Sequence, residues 1–315
     1  MIKKTELIIC TEKGYLESLS KALIFTLRTF GGAYKDIPIY SYQPRKDFPV
    51  SKATRAFFEQ YGVEYVDLNL NTEFSHYPLA NKPLACAHRE QHTKAEVLIF
   101  MDSDIVFQKE PTAFSDLEQA DVLLRPVDAK NIGTNGADGN EDYWNALYQL
   151  LNVNIKREVR STVDNHSLLE YYNSGQIIAN NNKALFAHWK ENFTKTMHAK
   201  LMPKQGLFFV EQSVFSATLA QLELNIKSID KYYNVPIHML KDFKNEAYTI
   251  DSIEELVTMH YHKLFLARES KALMQEQLNQ YEVGRTINQY LKAFEVIPKS
   301  PWLKVVDDAK RMWRN

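Results

Sequence analysis

The amino-acid sequence predicts an α/β fold, in which a mainly parallel β-sheet is flanked by helices and followed by a helical C-terminal extension. Short apolar runs alternate with helical patterns through the first half of the chain, which is typical of a parallel sheet covered on both faces. From about residue 265 onward the apolar positions follow helical spacing. The 315 residues fit one large domain and a modest extension, which we place at residues 1–265 and 266–315.

The first half of the chain supplies most of the predicted sheet. Its first strand is Leu7–Cys10, after which leucines recur at helical spacing until Gly31-Gly32 end the helix. Further strands are predicted at Ile37–Tyr40, Val63–Val66 and Val97–Phe100, with helices at residues 51–61 and 83–92 between them. Because Val97–Phe100 is uninterruptedly apolar, we expect it to be the most buried strand.

The second half is less regular. Residues 128–142 are rich in asparagine and glycine and poor in core-forming residues, so we predict a mobile loop that acts as a lid. A strand is predicted at Gln176–Ala179. In the C-terminal extension the helical pattern is interrupted at Gly284, Pro298 and Pro301.

Charge and cysteine content narrow the class of protein. Lysine plus arginine (38) nearly balance aspartate plus glutamate (39), so no basic field indicates nucleic acid as a partner. Cys10 and Cys86 are too few for a disulfide framework, and no secretory leader precedes the first strand. We therefore expect a cytoplasmic protein. The sequence does not indicate an oligomeric state.

Any membrane contact is expected to be peripheral, because no apolar run approaches the roughly 20 residues that span a bilayer. The C-terminal extension has three alternatives: it packs on the domain, pairs with a second subunit, or rests on a membrane surface. The first of these is favoured. The residues that would contact a membrane are Lys304, Lys310, Arg311, Trp313 and Arg314.

Two aspartates follow the most apolar strand directly, in the segment Met101-Asp102-Ser103-Asp104. Ligands of open α/β sheets bind beyond the carboxyl ends of the strands. If the backbone stays extended, the two carboxylates point to the same side. Paired carboxylates suit Mg²⁺ or Mn²⁺, which commonly bind through one or two carboxylates plus substrate phosphates. The alternative is a solvated acidic turn.

This segment resembles the Asp-x-Asp motif of GT-A glycosyltransferases, and the chain is most similar to glycosyltransferase family eight, which includes glycogenin and lipopolysaccharide galactosyltransferases. The resemblance implies that Asp102 and Asp104 hold manganese bound to the diphosphate of a nucleotide-sugar donor, with Ser103 among the donor-binding residues. It extends over residues 5–265 as short motifs in the family's order. It also implies a GT-A fold.

Two further motifs match the family's sugar-binding segments. Asn173, Ser174 and Gly175 lie in a segment similar to the Phe-Asn-Ser-Gly-aliphatic strand that lines the donor-sugar and acceptor pocket. Glu211-Gln212 resembles an Asp-Gln pair, whose acidic member contacts sugar hydroxyls and whose glutamine lies near the reacting carbon. Both segments also have ordinary alternatives, a turn before a strand and the acidic first turn of a helix.

The third ligand implied by the family is His260, in Thr258-Met259-His260-Tyr261, and His262 is its rival. The glycine and Lys-Pro-Trp that usually follow are absent, so Lys263 and Arg268 are candidate replacements for the diphosphate contact. The resemblance further implies that Thr11, at the end of the first strand, contacts the nucleotide base or ribose, with Glu12 beside it. Lys82 is a candidate cation for the diphosphate.

The resemblance implies metal-dependent transfer of a sugar from a nucleotide-diphosphate sugar, expected to be a UDP-sugar, to a hydroxyl acceptor with retention of configuration. Glu211, Gln212 and Asn173 are the predicted catalytic residues. The acceptor class stays open between a glycan, a lipid-linked sugar and a small molecule. Two other functions are considered: a non-catalytic sugar-nucleotide or glycan-binding protein of the same fold, and a haloacid-dehalogenase phosphatase. The phosphatase is disfavoured because Val106 stands where that group has threonine.

Overall fold

The computed structural model describes residues 3–262, Leu264 and residues 272–295. Some predicted features lie outside these ranges, namely Lys263, Arg268, the predicted domain boundary and the basic C-terminal residues. None of the helices in the described ranges is both long and apolar enough to cross a bilayer.

The described residues form twelve strands and eight α-helices. The strands are β1 (Thr5–Cys10), β2 (Ile39–Gln43), β3 (Val63–Asp67), β4 (Val97–Met101), β5 (Ile105–Phe107), β6 (Val122–Leu124), β7 (Glu158–Arg160), β8 (Ser167–Leu169), β9 (Gln176–Asn180), β10 (Ile226–Ser228), β11 (Val235–Pro236) and β12 (Thr258–His260). The helices are α1 (Tyr15–Phe30), α2 (Lys52–Gln60), α3 (Asn81–Gln91), α4 (Glu141–Leu151), α5 (Leu185–His198), α6 (Val210–Gln221), α7 (Ala272–Asn279) and α8 (Glu282–Glu295).

Seven strands build the main sheet in the order β10-β6-β9-β4-β1-β2-β3. Only β9 runs antiparallel to its neighbours β4 and β6, and the other pairs in this sheet are parallel. The prediction of a mainly parallel sheet flanked by helices is therefore confirmed. A second, three-stranded sheet in the order β11-β12-β5 lies beyond the end of β4.

The two faces of the central strands pack against different helices. On β1 and β4 successive side chains alternate between two buried clusters, as the period of a strand requires. Leu98 and Phe100 pack with Trp189 of α5, whereas Val97 and Ile99 pack with Leu23 of α1. All five residues of β4 are buried, as its apolar sequence predicts.

The second strand begins two residues later than predicted, at Ile39 rather than Ile37. Pro38 explains the shift, because proline has no N–H for the ladder and only its carbonyl takes part, accepting the Leu7 N–H at 2.9 Å. The helix predicted at residues 51–61 begins after Ser51, whose hydroxyl caps it by accepting the Thr54 N–H at 3.2 Å.

Helices α7 and α8 occupy the described part of the predicted C-terminal extension. Leu278, Val283 and Ile287 are buried in a cluster that also contains Leu19 and Ala22 of α1. Helices α7 and α8 thus share a hydrophobic core with α1, the helix that follows β1 of the main sheet. The division of the chain at residue 265 stays a prediction.

Replacing Ile287 by alanine should lower the free energy of unfolding by about 2–4 kcal/mol, because a fully buried isoleucine leaves a cavity. Urea unfolding monitored by far-UV circular dichroism would measure it. Gln289→Ala on the exposed face of α8 is the matched control. An unchanged midpoint for Ile287→Ala would mean that α8 does not contribute to the cooperative unit.

Candidate active site

A cavity of about 600 Å³ opens beyond the carboxyl ends of β1 and β4. Eight of the predicted site residues line it: Lys82, Asp102, Ser103, Asp104, Asn173, Glu211, Gln212 and His260. Four others, Thr11, Glu12, Ser174 and Gly175, lie next to its walls, and Lys263 lies outside the described residues. The cavity is where ligands of open α/β sheets usually bind.

The two aspartates of the Asp-x-Asp segment point to different partners. Strand β4 ends at Met101 and β5 begins at Ile105, and the backbone turns between them. The condition of an extended backbone, on which the two carboxylates would point to the same side, is therefore not met. The turn is held by the Asp102 N–H, which donates to the Gly175 carbonyl at 2.7 Å.

Asp102 pairs with Lys82, a cation at the start of α3. The Lys82 ammonium lies 2.9 Å from the Asp102 carboxylate and 3.7 Å from Glu211 Oε2. Burial opposes the charged form of Lys82, but the two carboxylates outweigh it and raise the pKa of this ammonium. Lys82 thus supplies a fixed positive charge to the cavity wall.

Glu211 stands in the first turn of α6 and is only 2% exposed. Burial raises the pKa of its carboxyl to about 7, although the nearby Lys82 ammonium opposes this shift. Its Oε1 atom has no hydrogen-bond partner among the described residues. A buried polar atom without a partner is costly, so this oxygen is suited to accept a hydrogen bond from a ligand hydroxyl.

Asp104 is surrounded by histidines. The ligand atoms of Asp104, His260 and His262 all lie within 4.8 Å of one another. His260 Nε2 is 3.1 Å from Asp104 Oδ1, and His262 Nδ1 is 3.9 Å from Asp104 Oδ2. Burial would raise the pKa of the Asp104 carboxyl, but the histidines hold it below its usual value. These are carboxylate and imidazole donors of the kind that bind divalent metal ions.

Strand pairing brings these distant residues together. Strand β12 runs antiparallel to β5, with His260 opposite Ile105, the residue after Asp104. The Tyr261 N–H also donates to the Asp104 carbonyl at 3.1 Å. One hydrogen-bonded register therefore sets the histidines beside the second aspartate.

Gly175 leaves room between the Asp102 and His260 side chains. A Cβ atom there would lie 2.9 Å from Asp102 Oδ2 and from Asn173 Oδ1, and 3.0 Å from His260 Cε1. The Asn173 side chain braces the turn by accepting the Gly175 N–H at 2.7 Å. Asn173-Ser174-Gly175 is thus a close approach of backbone to the acidic site, as a glycine in this motif allows.

Replacing Gly175 by alanine is expected to preserve folding but to weaken divalent-ion binding and turnover by about 10- to 100-fold. Gly175 does not have a positive φ, so alanine fits the backbone and the crowding falls on Asp102 and His260. Thermal unfolding and Mn²⁺ titration would separate the two effects. Gly139→Ala, whose Cβ meets nothing within 4 Å, is the control. Equal Mn²⁺ affinity in both variants would contradict this role.

Thr11 and Ser103 form a buried hydroxyl network beneath the cavity. The Thr11 hydroxyl lies 2.6 Å from Ser20 Oγ and accepts from Ser41 Oγ at 2.8 Å. Ser103 Oγ donates to the Cys10 carbonyl at 2.9 Å. These contacts position the ends of β1 and β4, and direct contact with a nucleotide stays a prediction for both residues.

Glu12 is likewise engaged inside the protein. Its carboxylate accepts from Arg45 Nε at 2.9 Å and from Asn81 Nδ2 at 3.0 Å. Asn81 in turn lines the cavity beside Lys82. Glu12 therefore positions Asn81, whatever further contact it makes with a ligand.

Several cavity residues were not predicted from the sequence. Asp128 lines the cavity and pairs with the fully buried Arg125 at 3.5 Å, and burial raises the pKa of the Asp128 carboxyl. His238 also lines the cavity, with its ring centroid 4.5 Å from that of His262. Phe208 lines the mouth and is 67% exposed. None of the three lies in a motif, and the sequence signal nearest to any of them is the predicted lid at residues 128–142, which begins at Asp128.

The predicted lid is better anchored than its composition indicates. Asp128 and Asn131 line the cavity, but Ile132 and Thr134 are fully buried. Trp144 Nε1 donates to the Ile132 carbonyl at 2.7 Å. The expectation that this loop contributes little to the core is wrong. Its closure over a donor stays a prediction, which hydrogen exchange of residues 128–142 with and without donor would test.

The chain is similar to glycosyltransferases both in sequence and in fold. The sequence model of the Rhodobacterales glycosyltransferase domain matches residues 7–223, about two thirds of the chain. No curated protein has a significantly similar sequence.

Solved structures with the same fold include three glycosyltransferases. The bifunctional glycosyltransferase WbbM, in its apo structure, is 15% identical with a TM-score of 0.56, covering 98% of this chain and 52% of its own. The galactosyltransferase LgtC, in complex with donor and acceptor sugar analogs, is 13% identical with a TM-score of 0.53, covering 93% and 98%. GlyE of Streptococcus pneumoniae TIGR4 is 14% identical with a TM-score of 0.53, covering 95% and 66%.

At these identities the structural likeness shows the fold alone, which is the GT-A fold that the motifs predicted. This chain spans about half the length of WbbM.

Proposed function

Because this chain belongs to the Rhodobacterales glycosyltransferase domain family, we propose that it is a metal-dependent enzyme that transfers a sugar from a nucleotide-diphosphate sugar to a hydroxyl acceptor. Members of this family are glycosyltransferases, so the family match indicates sugar transfer and argues against the haloacid-dehalogenase phosphatase. UDP as the nucleotide, a glycan, lipid-linked or small-molecule acceptor, and retention of configuration are further parts of the proposal.

One observation supports the proposal most directly. At the carboxyl end of the sheet His260 Nε2 lies 3.1 Å from Asp104, and Asp102 and His260 border the space that Gly175 leaves open. The buried His260 Nδ1 has no hydrogen-bond partner among the described residues. This donor set fits a divalent cation, and we assign Asp102, Asp104 and His260 to hold Mn²⁺ or Mg²⁺. When bound, such an ion would neutralise the charge that develops on the diphosphate leaving group.

The other charged residues have complementary roles. Lys82 supplies a buried positive charge beside the proposed diphosphate position, where it also balances Asp102 and Glu211. The unpartnered Glu211 Oε1 would accept a hydrogen bond from a donor-sugar hydroxyl. Gln212 is fixed nearby, since its Oε1 accepts the Ser174 N–H at 3.4 Å.

Glu211 is better suited to binding than to nucleophilic attack. Its carboxyl is buried, which raises its pKa to about 7, and the Lys82 ammonium 3.7 Å away holds it in place. Asn173 and Gln212 line the same wall and complete the proposed catalytic group. The donor sugar would lie between this wall and the acidic site, with the acceptor entering from the mouth beside Phe208.

Incubation of the protein with Mn²⁺ and a panel of UDP-, ADP- and GDP-sugars would test the proposal. Release of the nucleoside diphosphate, or transfer to an added acceptor, is the expected result, and chelation of the metal should abolish it. Nuclear magnetic resonance of the product would report the anomeric configuration. Binding of a sugar nucleotide without turnover across the panel would instead favour the non-catalytic alternative.

A further inference from the structure

We propose that His262 is a further ligand of the cation, together with Asp104 and His260, so that the site selects transition-metal ions over Mg²⁺. The inference rests on the proposed metal dependence and deepens it, because it specifies the class of ion. It rests on the close approach of Asp104, His260 and His262, on the backbone conformation of His262, and on the ion pair of Asp102 with Lys82.

The three side-chain donors lie close together. The ligand atoms of Asp104, His260 and His262 lie within 4.8 Å of one another, so small side-chain movements would bring all three to bonding distance of one ion, about 2.0–2.2 Å. Each carboxylate oxygen of Asp104 faces a different histidine, Oδ1 at 3.1 Å from His260 and Oδ2 at 3.9 Å from His262.

His262 has a backbone conformation that is uncommon for a residue other than glycine, and its ring lies beside that of His260. Its φ is +48°, in the left-handed region that few non-glycine residues adopt. In this conformation the His262 ring stacks on the His260 ring, with centroids 3.7 Å apart. The Tyr15 hydroxyl lies 3.5 Å from the His262 carbonyl oxygen. Uncommon backbone conformations of this kind cluster at ligand sites.

Asp102 differs from Asp104 in its surroundings. The Lys82 ammonium, 2.9 Å away, balances the Asp102 charge. Among the described residues, the ion-pair partners of Asp104 are the two histidines. Asp104 is therefore the carboxylate best placed to share an ion with both rings. The His262 side chain is 36% exposed and borders the cavity, so an ion can reach it.

Ligand chemistry then sets the ion class. Mg²⁺ demands oxygen ligands and retains water, whereas imidazole suits first-row transition metals. A site with two imidazoles should bind Co²⁺ more tightly than Mn²⁺, and Mn²⁺ more tightly than Mg²⁺. A site without His262 should discriminate less between these three ions.

The test uses the full chain and metal ions alone. Calorimetric titration with MnCl₂, CoCl₂ and MgCl₂ at about pH 8, where free imidazole is neutral, should give a Mn²⁺ affinity about 10- to 100-fold lower in His262→Gln. The Mg²⁺ affinity should change less than the Mn²⁺ affinity. His166→Gln is the matched control, because His166 is an exposed histidine that also lies near a carboxylate, that of Asp164 at 3.8 Å.

Pulsed electron paramagnetic resonance of Mn²⁺ bound to protein with ¹⁵N-labelled histidine counts the ligands directly. Coupling to two imidazole nitrogens is expected in the unaltered chain and to one in His262→Gln. A single coupled nitrogen in the unaltered chain, or equal Mn²⁺ affinity in His262→Gln, would overturn the role of His262 and leave the proposed function standing. Absence of any divalent-ion binding would overturn both this inference and the proposed metal dependence.

Discussion

Replacing Asp104 by asparagine is expected to lower sugar transfer by about 100- to 1000-fold, the loss that follows when one preorganised electrostatic group is removed from an active site. Asparagine keeps the shape of the side chain but removes the charge that lies between His260 and His262. The proposed cation would then lose its central carboxylate ligand. Initial rates of nucleoside diphosphate release with Mn²⁺ and donor would measure the effect.

Folding must be followed in the same experiment, because the Asp104 carboxylate is also paired with a buried histidine. Circular dichroism and thermal unfolding of Asp104→Asn would identify a loss of structure. Asp116→Asn is the matched control, since Asp116 pairs with Lys227 at the surface, where both side chains are more than 40% exposed. Activity within about tenfold of the unaltered chain would contradict a central role for Asp104.

Replacing Glu211 by glutamine is expected to reduce transfer by about 100-fold and to change how stability depends on pH. The buried carboxyl has a pKa of about 7, above the usual value of 4.5, so the folded chain retains this proton more strongly than the unfolded chain. The free energy of unfolding should therefore fall as the pH rises from about 4.5 to about 7. The contribution is of the order of 3 kcal/mol.

Glutamine is neutral at every pH, so this component should disappear from Glu211→Gln. Relative to the unaltered chain, the variant should gain stability between pH 4.5 and pH 8, while its transfer activity stays low. Urea unfolding across this range would measure the difference. Glu118→Gln, at an exposed position, should leave the pH profile unchanged. A Glu211→Gln profile parallel to that of the unaltered chain would show that the carboxyl does not titrate in this window.

The strand and helix pattern was largely predictable because periodicity is a local property. The apolar run at Val97–Phe100 identified a fully buried strand, and the leucine spacing after Cys10 identified α1. Boundaries were less certain where a single residue such as Pro38 changed the hydrogen bonding. The loop at residues 128–142 was misjudged because composition does not reveal that Ile132 and Thr134 reach the core.

By itself, the sequence determined that a mainly parallel sheet carries an Asp-x-Asp segment at the end of an entirely apolar strand, with the motifs of a glycosyltransferase after it. The tertiary structure alone decided the partners of each aspartate. His260 is 156 residues from Asp104, and only the pairing of β12 with β5 brings them together. Register between distant strands depends on the packing of the whole chain, which no local pattern encodes. For the same reason, the pairing of Asp102 with Lys82 and the approach of His262 to Asp104 became visible only in the folded protein.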